Sequence, residues 1–238
     1  MLKNQKSLSI FFPVYNEEKV IDATIREALK IAGSLFEDYE ILLVNDGSTD
    51  RSKEKIMEWM SCSDKIRLVD HEINLGYGAT LRDGFKNAEK ELIFYTDSDM
   101  PVDLNDISKI IPLIGACDIV IGYRIDRKDS PRRFIYSKIY NFLLKILLRV
   151  KVRDANFSFK CIKKEMIEKF DLKAKSVFVD GELLAEIVRN KGVIREIPIA
   201  YIPRKHGRSN FDSLKAAVFT FKELLCYWIT NHIFKGYK

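Results

Sequence analysis

The chain has 238 residues, of which 47% are apolar and 31% charged, a composition that excludes a disordered or fibrous protein. Its formal net charge of +6 favours an anionic partner, such as a phosphorylated small molecule, a nucleic acid or an acidic membrane surface. The basic residues are interspersed with 34 acidic ones, so we expect no nucleic-acid binding.

The cysteines and the first residues of the chain indicate the cellular compartment in which the protein works. The four cysteines lie far apart without paired spacing, so neither a zinc site nor a disulfide framework is predicted, and we expect all four to pack as small apolar side chains. The first residues lead directly into a strand, and no apolar run is long enough to cross a bilayer. These features predict a cytoplasmic protein.

The first half of the chain alternates strand-like apolar runs with helical patterns. Strands are predicted at residues 7–14, 40–45, 66–70, 92–96 and 118–122, and helices at 17–35, 49–60 and 79–88. Such alternation is typical of an α/β fold in which helices cover both faces of a mostly parallel central sheet.

Two amphipathic helices are predicted in the second half, at residues 134–149 and about 212–234. The first has polar residues at every fourth position and is otherwise almost entirely apolar, so its apolar face is unusually wide. Two interpretations stay open. The helices are buried against the sheet, or they lie in a membrane interface with their apolar faces down and their flanking cations on lipid phosphates.

Three polar clusters follow predicted strands, at residues 13–17, 45–48 and 97–99. Parallel sheets bind ligands at the carboxyl ends of their strands, so we expect the clusters to meet along one edge. There Tyr15 could stack on a nucleotide base, and Asp46 could accept hydrogen bonds from base or ribose, although its segment also has the composition of a plain turn. Gly76, before the third helix, would let the backbone approach a ligand.

Asp97 and Asp99 form an Asp-x-Asp pair directly after a strongly apolar strand. Two carboxylates at this spacing can bind one Mg²⁺ or Mn²⁺, because a bound diphosphate supplies further oxygen ligands. Ser98, between them, is assigned to the same substrate site. An acidic pair that merely caps a turn is the alternative.

Several motifs, in this order and spacing, resemble glycosyltransferase family 2. In the first half they span residues 12–18, 44–50, 74–78 and 96–99. Later segments are similar to the polyprenyl-phosphate branch of that family, which includes the dolichol-phosphate mannose synthases and bacterial relatives; they span residues 122–124, 132–133, 154–160 and 204–209. The resemblance implies a single nucleotide-sugar-binding domain of the GT-A type, and it covers most of the chain.

The resemblance also implies roles for individual residues. Four of them would hold the nucleoside: Pro13, Tyr15, Glu17 and Asp46. Asp97 and Asp99 would bind the metal and the diphosphate. Arg124 and Arg133, or Arg132 in its place, would bind the phosphate of the acceptor. Three cations would close over the donor diphosphate: Arg204, Lys205 and Arg208. Arg204 is counted with the catalytic residues because it would stabilise charge on the leaving group.

The implied reaction is an inverting transfer of a hexose from a nucleotide diphosphate sugar, of the GDP-mannose or UDP-glucose type, to dolichyl or undecaprenyl phosphate. Residues 1–211, with the helix at 134–149, would form the catalytic domain, and residues 212–238 a C-terminal amphipathic helix. The protein would act at the inner face of a membrane, reached through these helices or through a membrane partner protein.

Two further hypotheses about function remain, one for an enzyme with a different acceptor and one for a binding module. In one, the acceptor is a hydroxyl of a glycan or small molecule, and Asp154 serves as the general base. In the other, the chain is a non-catalytic nucleotide-sugar-binding module. Two departures from the family pattern bear on this choice: Asn45 stands where an aspartate is usual, and Pro101 where some relatives have a polar metal ligand.

Overall fold

A computed structural model describes residues 4–125, 131–202 and 214–231. The first half follows the predicted alternation closely: β1 (Leu8–Val14), α1 (Ile21–Leu35), β2 (Tyr39–Asp46), α2 (Ser52–Cys62), β3 (Ile66–His71), α3 (Tyr77–Asn87) and β4 (Leu92–Tyr95). A 3-10 helix (Leu104–Lys109) and the short α4 (Ile111–Ile114) lead to β5 (Ile119–Ile125).

The second half contains elements that the sequence pattern did not predict. After α5 (Pro131–Leu148) come β6 (Lys160–Lys163), α6 (Lys164–Ile167), α7 (Phe178–Arg189), β7 (Ile194–Ala200) and α8 (Leu214–Ile229). Only α5 and α8 of these were expected. The predicted C-terminal helix is present as α8, and both of its predicted ends, at about 212 and 234, lie outside the described part of the chain.

The described strands form one sheet of seven in the order β3-β2-β1-β4-β6-β5-β7. Every neighbouring pair is parallel except those that involve β6, which runs antiparallel to both β4 and β5. The predicted α/β class with a mostly parallel sheet is confirmed. The insertion of β6 separates the carboxyl ends of β4 and β5 by two strand spacings, about 10 Å.

Alternate side chains of the central strands enter two apolar cores on opposite faces of the sheet. Ile10 and Phe12 of β1 pack with α1 and α2, whereas Phe11 packs with α3 and α7. Gly84 lets α3 approach β1 closely, because a Cβ at this position would lie 2.4 Å from the Phe11 ring. Truncation of such a buried phenylalanine to alanine typically costs about 3–5 kcal/mol.

The cysteine expectation is correct for two residues and wrong for two. Cys117 and Cys161 are buried, whereas Cys62 and Cys226 are exposed, because they lie on the outer faces of α2 and α8. Within the described residues, no helix combines the length and the apolarity needed to cross a membrane.

The two amphipathic helices pack on the sheet with one face and leave another face open. Tyr140, Leu144 and Leu148 of α5 are buried, and Leu224 of α8 is fully buried beside them. Tyr140 and Phe221 join the two helices through an edge-to-face ring contact. The opposite faces expose large apolar side chains, namely Phe134, Ile135, Ile139, Phe142, Ile146, Val218, Phe219, Leu225 and Ile229.

Candidate active site

The polar clusters after β1 and β2 lie side by side, as expected from their parallel pairing. Val14 pairs with Asn45, and Asn45 with Asp70, so the three strands end at one edge. The two loops are tied together by Asn16, whose Oδ1 accepts a hydrogen bond from the Thr49 amide at 2.8 Å. Beside this contact the Tyr15 ring is exposed to solvent, and Pro13 and Glu17 are half-buried.

Asp46 is buried and anchors the loop before α3. Its Oδ1 accepts from the Leu75 amide at 2.8 Å, and its Oδ2 accepts from the Gly76 amide at 2.9 Å. The imidazole Nδ1 of His71 lies 2.9 Å from Oδ1, and its Nε2 lies 2.9 Å from Asp83. These contacts make Asp46 an organiser of the Gly76 loop, a role that the sequence pattern did not indicate.

Asn45 forms a second cluster at the same edge, on the α2 side. Its amide donates to Asp70 at 2.7 Å, and Lys53 of α2 pairs with the other oxygen of Asp70 at 2.6 Å. Burial alone would raise the pKa of Asp70, but the hydrogen bonds from Lys53 and Asn45 outweigh it and bring the pKa below its ordinary value. An aspartate at position 45 would place two carboxylates in contact, so asparagine suits this neighbour.

The Asp97–Ser98–Asp99 segment follows β4 as a tight turn. The Met100 amide donates to the Asp97 carbonyl at 3.2 Å, and Met100 has a positive φ of 48°. Thr24 of α1 fixes the turn through a 2.6 Å hydrogen bond from its hydroxyl to the Ser98 carbonyl. Because the backbone is held from two sides, the two carboxylates are presented at a fixed position on the edge of the sheet.

The two aspartates fit a hard divalent cation whose remaining ligands come from a diphosphate and water. Both carboxylate oxygens of Asp99 are inaccessible to solvent, an environment that favours a neutralising cation. Among the described residues, no group of three or more histidine, cysteine or acidic side chains could hold a metal by itself.

The loop after the aspartates contacts the end of the segment that follows β7. The Ile202 amide donates to the Pro101 carbonyl at 2.8 Å. Pro101 thus contributes a backbone acceptor where some relatives have a side-chain metal ligand. The three predicted diphosphate contacts, Arg204, Lys205 and Arg208, lie outside the described residues, and so do the side chains of Arg132 and Arg133.

Arg124 and Asp154 form a bidentate ion pair at the end of β5. Nε of Arg124 donates to Asp154 Oδ2 at 2.7 Å, and an Nη donates to Oδ1 at 3.0 Å. The guanidinium lies 5.4 Å from the centroid of the Phe157 ring and 5.7 Å from that of the Tyr201 ring. Two residues with separate predicted roles, phosphate contact and general base, are therefore bound to each other.

Sequence reasoning missed a buried network between β4, β6 and α7. Lys160 is fully buried and donates to Asp180 at 2.6 Å and to the Phe157 carbonyl at 2.7 Å. The Tyr95 hydroxyl also donates to Asp180. Burial, together with the adjacent Asp180 carboxylate, raises the pKa of Tyr95 well above its ordinary value, so the phenol keeps its proton. This network supports the strand end that carries Asp97.

Comparison with solved structures gives the class of protein that this fold defines. Glucosyl-3-phosphoglycerate synthase from Mycobacterium tuberculosis, solved with Mn²⁺, UDP and glucosyl-3-phosphoglycerate, matches with a TM-score of 0.74 and 17% identity over 94% of this chain and 80% of that one. At this identity the match establishes the fold. The fold is that of the GT-A type glycosyltransferases, as predicted.

The family follows from the sequence comparison. The model of glycosyl transferase family 2 matches residues 9–171, and the chain belongs to that family. Glycosyltransferase AglD of Haloferax volcanii is 27% identical over 231 residues, which cover 93% of this chain and 37% of the relative.

A second relative has a more specific name. The undecaprenyl-phosphate 4-deoxy-4-formamido-L-arabinose transferase of Pectobacterium carotovorum is 26% identical over 97% of this chain and 70% of its own length. The predicted resemblance to the family and to its polyprenyl-phosphate branch is confirmed. The chain spans little more than a third of the Haloferax protein, so these names describe the relatives.

Proposed function

We propose that this protein transfers a hexose from a nucleotide diphosphate sugar to a polyprenyl phosphate, with inversion and with a divalent metal at Asp97 and Asp99. The observation that carries the proposal is the fixed Asp97–Asp99 turn, at the same sheet edge as the Gly76 loop that Asp46 anchors. The name of the Pectobacterium relative supports the acceptor class, and the Mn²⁺ and UDP of the Mycobacterium structure support the donor and metal classes.

In this proposal the residues either bind the nucleoside or compensate the negative charge of the diphosphate. A bound Mg²⁺ or Mn²⁺ would neutralise the departing nucleotide diphosphate. Asp97 and Asp99 hold that cation, and Tyr15, Pro13 and Glu17 contact the nucleoside. Ile202 is hydrogen-bonded beside the metal turn, and Arg204 follows it by two residues, a reach of about 7 Å. We assign Arg204, Lys205 and Arg208 to the diphosphate on the family resemblance, and the position of Ile202 keeps Arg204 within chain reach of the metal turn.

The acceptor needs no strong base if it is a phosphate. A phosphate monoester has its second pKa near 6, so it is largely a dianion at neutral pH and can attack directly. We assign Arg124 to the acceptor phosphate together with Arg132 or Arg133, with Asp154 holding the Arg124 guanidinium in place. In the alternative, Asp154 would activate a hydroxyl acceptor although it is only 3% exposed and both of its oxygens are bonded to Arg124.

We also propose that α5 and α8 dock on an anionic membrane face, which for a polyprenyl acceptor is the cytoplasmic side. Helix α5 contains four cations and no acidic residue, and its exposed side chains are largely apolar. Phe142 is 60% exposed and Ile146 is 58% exposed, although both are large and apolar. This combination of apolar surface and positive charge fits a lipid headgroup layer.

The first test is calorimetric titration with UDP and GDP, each with Mn²⁺ and with EDTA. One nucleotide should bind in a metal-dependent manner, and Asp99→Asn should weaken that binding at least ~tenfold, because a hard metal prefers carboxylate ligands. Asp103→Asn is the matched control, since this exposed aspartate caps the nearby 3-10 helix. If the nucleotide binds equally well with Mn²⁺ and with EDTA, and equally well to the wild type and to Asp99→Asn, the metal is removed from the proposal.

The acceptor is tested by transfer from the matching nucleotide sugar to undecaprenyl phosphate and to undecaprenol. We expect product from the phosphate only, because the hydroxyl lacks an accessible base. Product from the alcohol, with loss on Asp154→Asn, would favour the alternative acceptor. Nucleotide binding without transfer to either lipid would favour the non-catalytic module.

A further inference from the structure

The segment of residues 173–176 is held by two glutamates from different helices. Glu182 of α7 accepts hydrogen bonds from the amides of Lys173 and Ala174, at 2.9 and 2.7 Å. Glu223 of α8 accepts from the amides of Lys175 and Ser176, both at 2.9 Å, and from the Ser176 hydroxyl at 2.6 Å. Four consecutive backbone donors are thus bound by two carboxylates.

The carbonyls of the same segment hold the start of α3. The Lys175 carbonyl accepts from the Gly78 amide at 3.2 Å, and the Ala174 carbonyl accepts from the guanidinium of Arg82. The contact is close enough to require glycine, since a Cβ at Gly78 would lie 2.3 Å from the Ala174 oxygen. Gly76, two residues earlier, is the residue that Asp46 anchors.

We propose that Glu223 is a positioning residue for the donor site, which it shapes through residues 173–176 and the start of α3. The inference rests on the proposed function, because it takes the Gly76 loop as part of the donor site. Glu223 lies on a helix whose outer face carries the exposed Val218 and Leu225. Helix α8 therefore connects the surface that we assign to the membrane with the loop that we assign to the nucleotide.

A neighbouring glutamate provides a matched control. Glu186 of α7 accepts from the Tyr227 hydroxyl of α8 at 2.6 Å and from Arg189 at 2.7 Å. Glu223 joins α8 to the segment before α7, and Glu186 joins α7 to α8. Both use charge-assisted hydrogen bonds, but the contacts of Glu186 do not involve residues 173–176. A general loosening of α8 would affect both positions, whereas a positioning role would affect Glu223 alone.

The test compares Glu223→Gln with Glu186→Gln. In Glu223→Gln one carboxylate oxygen becomes an amide NH₂ that faces a backbone N–H. The first measurement is hydrogen exchange without nucleotide. Exchange should accelerate at residues 173–176 and 74–78 in Glu223→Gln and stay near the wild-type rate there in Glu186→Gln. Unchanged exchange in Glu223→Gln would overturn the inference whatever the protein binds.

The second measurement is the Kd of the nucleotide with Mn²⁺. Glu223→Gln should raise it about tenfold, the effect of roughly one charge-assisted hydrogen bond, and Glu186→Gln less than about twofold. The KM for the nucleotide sugar should rise with it while kcat changes little. Equal Kd values in the two variants would overturn the inference but leave the proposed function intact. If the wild type binds no nucleotide, the inference and the proposed function both fail.

Discussion

Arg124 and Asp154 lie in an environment that differs from what their separate predicted roles require. The side chains are only 8% and 3% exposed, and their pair is bidentate, so each largely satisfies the charge of the other. Breaking a buried pair on one side leaves an uncompensated charge, which typically costs about 3–5 kcal/mol. Asp154 is therefore better suited to fix Arg124 than to move protons.

This arrangement predicts strongly non-additive substitutions. Asp154→Asn and Arg124→Lys should each lower transfer to the polyprenyl phosphate by about a hundredfold, because each removes the same fixed guanidinium geometry. The double variant should lose little more than either single one, since residues that act as a unit couple strongly. The coupling is measured from the transfer rates of the wild type, the two single variants and the double variant. Fully multiplicative losses would mean that the two residues act independently, as a separate base and phosphate contact would.

At the scale of secondary-structure elements, the first half of the fold was predictable because its determinants are local. The strands β1, β2 and β4 are largely apolar runs bounded by polar turns, and β3 is a shorter, mixed segment between two helical patterns, so each is recognisable within its own segment. The carboxyl-edge clusters followed from the same pattern. The role of Asp46 did not, because its partners are backbone amides near Gly76 that only the folded chain brings within reach.

The elements of the second half lack such local signals. Strand β6 begins with Lys160, a residue type that normally indicates an exposed position, and its partners Asp180 and Tyr95 are 20 and 65 positions away in sequence. Helix α7 is buried on nearly all sides and has Gly181 in its interior, so it shows no clear amphipathic stripe. Pro198 lies within β7, and proline argues against a central strand but is tolerated at the sheet edge where β7 lies.

The buried network of β6 and α7 gives a stability prediction for these elements. Lys160→Met should destabilise the fold by about 3–5 kcal/mol, because the substitution removes one partner of a buried ion pair and leaves the Asp180 carboxyl without its cation. For a chain of this size that corresponds to a fall in Tm of roughly 6–20 °C. Lys163→Met on the same strand is the control, since its ion pair with Asp118 is long, at 4.0 Å, and its two side chains are 17% and 25% exposed. A similar Tm for the two variants would contradict the structural importance of the network.

At the scale of the whole molecule, the apolar surface and the positive charge coincide. The chain carries a net charge of +6, and the cations Lys138 and Lys145 of α5 stand beside exposed apolar side chains. A single exposed phenylalanine is ordinary on a protein surface, but a contiguous row on two helices packed together marks an interaction site. The charge supports an anionic surface as the occupant that we propose.

Vesicle co-sedimentation tests this surface. The protein should bind phosphatidylcholine vesicles that contain phosphatidylglycerol, and binding should weaken with added salt because Lys and Arg contacts to headgroups are screened. Phe142→Asp and Ile146→Asp should each reduce the partition coefficient about tenfold or more, since each removes a side chain worth ~1.5–3 kcal/mol when buried in apolar surroundings. Met57→Asp is the control, because this α2 side chain is 54% exposed on the other face of the sheet. Equal effects of all three substitutions would refute the assignment of α5, and concentration-dependent dimerisation that Phe142→Asp abolishes would assign the surface to a protein partner instead.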